Sequence, residues 1–195
     1  MIFQNQLKRF ISLAFSSRYL LVTNTTIGVG ALVGADLVQQ LSAHYIYPSK
    51  PTDQQLGAKQ SADLPYIHDN NRSIGMAAGG LYFGLGGHYW YGFLDKRFPG
   101  KSMTSVTRKL LCEAIIGPPF VSLCYFIVAR VEGKSTIDWY KSAKETIIYI
   151  IFTEWCCFLP LQAFNFYLLP PKYRYLCVAI LTFFYDNFLS YIFHK

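Results

Sequence analysis

Residues 74–100 read IGMAAGGLYFGLGGHYWYGFLDKRFPG. Ile74 to Leu94 contains no Asp, Glu, Lys or Arg, and about twenty residues at a rise of roughly 1.5 Å cross a hydrocarbon core of about 30 Å. Tyr89, Trp90 and Tyr91 then fall where amphipathic rings prefer the headgroup layer, and Asp95, Lys96 and Arg97 follow in water. This is the pattern of a helix that crosses a bilayer and ends at its interface.

Outward from that stretch, apolar runs occupy residues 20–41, 106–131, 143–169 and 176–193, making four or five candidate spans. The run after Val106 is expected to be kinked by Pro118 and Pro119, and the next interrupted by Pro160. Proline removes a backbone donor, and in lipid the freed carbonyl must find another partner. Glycines sit inside the runs, as Gly30xxxGly34, Gly75xxxGly79 and Gly80xxxGly84. That spacing lets helix backbones approach closely in lipid, within one chain or in a homo-oligomer through glycine-rich helix faces.

Composition agrees: of 195 residues, 52% are apolar, 17% aromatic and only 15% charged, too little charge for a soluble domain of this size. The fold class expected is all-α, a multi-pass transmembrane helical bundle in the lipid bilayer. A single domain covers 20–193, with an exposed loop at 42–72 rich in Pro, Gln, Asp and Ser. Residues 1–19 carry Lys8, Arg9 and Arg18 but no acid, with Phe3, Leu7, Phe10 and Ala14 at helical spacing. Such an amphipathic basic segment serves as a mitochondrial targeting element or as an interfacial helix beside the first span.

The chemistry-bearing side chains are few. Cys112, Cys124, Cys156, Cys157 and Cys177 all lie in apolar runs without a C-x-x-C pair, and the four histidines are scattered. They read as packing residues, with no metal or cofactor expected. Dinucleotide and Walker-type loops fail on spacing, and no nucleophile–base–acid set stands out, so a non-enzyme is expected.

Nearly every span carries one carboxylate: Asp36, Glu113, Glu154 and Asp186. Each is costly at a span centre, roughly 2.5–3.5 kcal/mol, and must face the bundle interior or an interface. They either line a solute path, with Gln39, His88, Gln162, Asn165 and Asn187, or act as interhelical glue. Lys109, one turn before Glu113, is its expected partner. Arg72 and Arg174, at span ends, are candidate partners for Glu154 or Asp186. Lys and Arg are scattered among the loops and leave the orientation open.

Several of these residues resemble the signature of a known family. Gly84, His88, Trp90 and Tyr91 followed by Asp95, then Trp155, Gln162, Asn165, Phe166, Pro170 and Arg174, are similar to motifs of the Mpv-seventeen / peroxisomal membrane protein family. The resemblance runs from about Tyr19 to Tyr191. Leu85 stands where the signature has proline, and Pro160 is displaced by one position. The resemblance implies a multi-pass protein of the mitochondrial inner membrane rather than the peroxisomal one. Its Mpv-seventeen-like branch implies association with the large mitochondrial ribosomal subunit and a role in ribosome assembly and translation. Channel activity, proposed for other members, is the alternative implied, and a structural membrane-organising bundle the third. If a ribosome is the partner, contact is expected through basic loops, because rRNA phosphates attract Lys and Arg without a base-reading motif. The candidates are Lys96, Arg97, Lys101, Arg108 and Lys109, with a second basic stretch from Arg130 to Lys144.

Overall fold

The computed structural model describes residues 2–45 and 66–193, all of them helix or short connection. The helices are α1 (Ile2–Ala14), α2 (Leu20–Tyr45), α3 (Asn70–Arg97), α4 (Met103–Val131), α5 (Thr136–Thr153), α6 (Leu159–Leu168) and α7 (Pro171–Phe193), with a π-helical turn, Glu154–Phe158, joining α5 to α6. The loop expected at 42–72 is shorter at both ends, because α2 runs on to Tyr45 and α3 begins at Asn70. Its centre, 46–65, lies outside the described residues.

Side-chain chemistry explains where the helices start and stop. Asp69 caps α3 by accepting from the Arg72 amide, and Ser102 caps α4 by accepting from the Ser105 amide. Gly100 and Gly133, in the turns flanking α4, adopt φ of +86° and +83°, a region L-residues avoid. The expected kink is absent from the secondary structure of α4, which runs unbroken through Pro118 and Pro119. The interruption expected at Pro160 is present as the π-helical turn just before it, which places Pro160 in the first turn of α6, where its missing N–H is tolerated.

Paired contacts define the topology. Asn24, Thr25, Gly28 and Asp36 of α2 meet His88, Gly84, Gly80 and Ser73 of α3, so these helices are antiparallel. Gly79 and Trp90 of α3 meet Cys124 and Glu113 of α4, again antiparallel. Trp139 lies on Phe126, Trp155 reaches Ala114 and Leu168 meets Lys101, so α5, the π turn and α6 form one traverse back along α4. Tyr175 and Phe183 of α7 contact Gly28 and Gly34 of α2 in the parallel sense. Among the described residues the bundle is therefore traversed five times by helix.

Glycine sets the central spacing. A Cβ on Gly80 would lie 2.6 Å from the Val29 Cα, and one on Gly84 2.5 Å from the Thr25 Cα, so α2 and α3 touch backbone to backbone. The ring of buried Tyr175 is wedged against Gly87, with its hydroxyl against Gly28. Gly75 and Gly79 seat Val128 of α4. The glycine faces expected to serve a homo-oligomer are thus largely occupied within one chain; Gly30 alone of the three pairs faces open space.

The outside of the bundle is apolar. Ile115, Ile148, Phe152, Phe164 and Phe184 are each at least 60% exposed, whereas a water-soluble monomer rarely presents a continuous surface of that kind. Two helices, α2 and α4, are long and apolar enough by themselves to cross a membrane.

Candidate functional site

The family-signature residues converge at one end of the bundle. Asp95, in the last turn of α3, accepts from Lys109 Nζ of α4 at 2.6 Å and pairs with the Arg174 guanidinium of α7 through the same oxygen. Lys109 and Arg174 are 1% and 2% exposed, and Asp95 is 20% exposed. The ring of buried Phe166 lies against both cations, 5.4 Å from Lys109 Nζ and 5.3 Å from the Arg174 guanidinium carbon. Arg174 also donates to the carbonyls of Phe166 and Leu169, which satisfies the open C-terminal turn of α6.

A polar string continues inward from this centre. Asn165 donates to the Arg174 carbonyl at 3.3 Å and to Gln162 Oε1 at 2.8 Å, and Gln162 donates to the Tyr91 hydroxyl at 2.5 Å. Pro170 ends the short link between α6 and α7, and its carbonyl accepts from the Tyr173 amide. Of the other signature residues, Gly84 sits in the α2–α3 contact, Trp90 donates to Glu113 at 3.0 Å and Trp155 donates to the Ala114 carbonyl. His88 Nδ1 lies 3.3 Å from Asn24 Nδ2, an arrangement that as an Asn-to-His hydrogen bond puts the ring proton on Nε2.

Two expected pairings are corrected. Lys109 is not paired with Glu113, because Asp95 across the α3–α4 turn takes its ammonium; the Glu113 carboxylate accepts from Trp90 instead. Arg72 and Arg174, expected to pair with Glu154 or Asp186, are paired with Asp36 and Asp95. Lys109 is also withdrawn as a ribosome contact, since a 1% exposed ammonium cannot reach an rRNA phosphate. Lys96, Arg97, Lys101 and Arg108 do lie exposed at this end. The Arg130–Lys144 stretch lies at the opposite end of α4, with Lys134 paired to Glu132 and Arg130 bonded to the Lys134 carbonyl.

Of the carboxylates proposed to line a path, Asp36 and Glu113 are not brought together. Asp36, fully buried, forms a second polar centre at the far end: Arg72 Nε pairs with it at 2.6 Å, Ser73 donates to it at 2.6 Å and Gln40 at 2.8 Å. His68 and Tyr66 extend that network, His68 Nε2 lying 3.1 Å from the Ser73 hydroxyl and Tyr66 2.9 Å from His68 Nδ1. Glu113 is held well away from it, and the side chains of Glu154 and Asp186 lie outside the described residues. Sequence reading missed Ser73, His68 and Tyr66, whose role shows only once α3 is laid antiparallel to α2.

An apolar exterior and glycine-fitted helices define a multi-pass membrane protein. Residues 129–190 match the Mpv17 / PMP22 family. The chain is 27% identical over 183 residues to Mpv17-like protein of Xenopus laevis, covering 93% of this chain and 81% of the relative. It is 30% identical over 117 residues to Protein SYM1 of Kluyveromyces lactis, covering 58% of this chain and 60% of the relative. It is 26% identical over 132 residues to Mitochondrial inner membrane protein Mpv17 of Bos taurus, covering 66% and 74%. The match thus spans about three-fifths of the SYM1 relative's length. No solved structure matches the chain at a significant level. The chain is thus similar to the Mpv17 / PMP22 family, and one of these relatives is named for the mitochondrial inner membrane.

Proposed function

We propose that this protein is a non-enzymatic membrane anchor whose basic end meets the large mitochondrial ribosomal subunit and supports ribosome assembly and translation. The observation that carries this reading is the charge at one end. Lys96, Arg97, Lys101 and Arg108 are exposed there, Lys8, Arg9 and Arg18 approach along α1 and its turn, and Asp95 is the sole carboxylate among residues 2–35, 88–112 and 159–185. That carboxylate is committed to Lys109 and Arg174, so the exposed cations meet no internal competitor for phosphate. The opposite basic stretch cannot share the same flat contact, because α4 separates the two.

A solute path draws less support. The two polar centres are separated by the Gly28, Gly80 and Gly84 contact, where helix backbones meet. The test is gradient sedimentation of mild-detergent extracts of mitochondria. The protein is expected to travel with the large subunit at low salt and to leave it as salt rises. Replacing Lys96, Arg97, Lys101 and Arg108 by Gln should reduce co-sedimentation more than tenfold, each lost phosphate contact lowering affinity and flattening the salt dependence. Co-migration that persists in that variant, or free migration of the wild type, overturns the reading.

A further inference from the structure

The molecule holds an apolar crevice of about 240 Å³ between α2 and α7, lined by Ile27, Ala31, Ala179, Ile180, Phe183 and Phe184. Ile180 and Phe184 are 47% and 65% exposed, so the crevice opens outward onto the lipid-facing surface. It is smaller than the roughly 300 Å³ at which small-molecule pockets begin, and its walls offer a polar solute no fixed donor or acceptor. A flexible hydrocarbon segment is the ligand that such a space fits.

Two cations stand above it. Ile180 lies eight residues after Lys172 and Ile27 seven after the first residue of α2, a rise of about 10–12 Å in each helix. Arg18 lies two residues before α2, and the α1–α2 turn is fixed against α7 by the Phe15–Tyr173 ring contact, with centroids 4.9 Å apart. The Arg18 guanidinium lies over Tyr19 and the Lys172 ammonium over Tyr173, while both side chains remain exposed. Thr23 Oγ1 donates to the Ala14 carbonyl at 2.6 Å and locks the turn. No Asp or Glu occurs between residues 2 and 35 or between 159 and 185 to repel an anion.

We propose that the α2–α7 crevice is a binding site for one anionic phospholipid. An acyl chain lies between Ile27, Ala31 and Ile180, and its headgroup phosphate is held by Arg18 and Lys172. A neutral-headgroup lipid would fill the same crevice without the charge pairing, so the site selects by headgroup.

Native mass spectrometry of the full chain released from nanodiscs of equal phosphatidylcholine and phosphatidylglycerol tests this. Wild type should retain one phosphatidylglycerol over phosphatidylcholine by roughly tenfold or more, as two cations near a headgroup predict. Arg18→Gln with Lys172→Gln should bring the two lipids level, while Lys141→Gln with Lys144→Gln at the other end should change nothing. Ile180→Trp, on the exposed rim where folding is not at stake, should expel both lipids. Equal retention by wild type, or undiminished preference in the Arg18/Lys172 variant, overturns the site. Displacement of the lipid by excess soluble glycerol 3-phosphate also overturns it, because the cations would then form a phosphate site that needs no acyl chain.

Discussion

The indole nitrogen of Trp155 lies 3.1 Å from the main-chain oxygen of Ala114, the carbonyl four residues before Pro118. Pro118 has no N–H to give, so the π-helical turn of a neighbouring segment supplies the donor that α4 lacks. Trp90 grips the adjacent Glu113 side chain from α3. Two indoles thus hold the proline-bearing helix from two sides, and its helical assignment continues where a break was expected.

This relationship makes Trp155 and Pro118 energetically coupled. Trp155→Phe should cost about 1–2 kcal/mol in the native background, since it strands a carbonyl. In a Pro118→Ala background, where the new amide satisfies Ala114 within the helix, the same change should cost almost nothing. Unfolding in mixed micelles measures the cycle; equal costs in both backgrounds count against the pairing.

Asp95 should be the most sensitive charged position at the basic end. Asp95→Asn leaves two buried cations without a carboxylate, a loss of about 3–5 kcal/mol. Adding Lys109→Met should recover part of it by removing one stranded charge. A thermal unfolding midpoint in detergent no higher for the double variant than for the single would refute the shared-carboxylate account.

Glycine substitutions should separate by sign. Gly84→Ala pushes a methyl to 2.5 Å from the Thr25 Cα and should destabilise by about 1–3 kcal/mol, as overpacking does. Gly30 has nothing within 4 Å of its would-be Cβ, so Gly30→Ala should stabilise by up to about 1 kcal/mol through helix propensity. The same unfolding assay distinguishes them, and matching signs would show that the α2–α3 contact is not as close as described.

At the far end, Arg72→Gln should expose how Asp36 is held. The carboxylate is fully buried and Arg72 is the cation paired with it, so the single change should cost about 3–5 kcal/mol and Asp36→Asn with Arg72→Gln appreciably less. Additive losses in a double-mutant cycle would mean the two side chains act independently.

The helices were legible because lipid imposes long runs without charge, and all five runs reappear as helix or paired helix. Their ends were not, because Ser42–Tyr45 and Asn70–Ser73 are polar turns of helix lying beyond the apolar run. The signature residues were legible as a set, and Tyr91, Asp95, Gln162, Asn165, Phe166 and Arg174 do meet. Their partners were not: local spacing shows Lys109 beside Glu113 on one helix, whereas its carboxylate comes from α3 across a turn. The orientation of charge became readable only when buried Lys109 and Arg174 were set apart from the exposed Lys96, Arg97, Lys101 and Arg108. Proline likewise announces a missing donor, but the indole that replaces it lies 41 residues away in the chain.

Five traverses is an odd number. The amphipathic helix α1 and the basic cluster lie at one end of the bundle, and the last turn of α7, at Phe193, lies at the other. If every traverse crosses the membrane, a protease or thiol reagent confined to one side will find only one of these two landmarks. A label fused beside each turns the crossing parity of the chain into a yes-or-no readout in intact organelles.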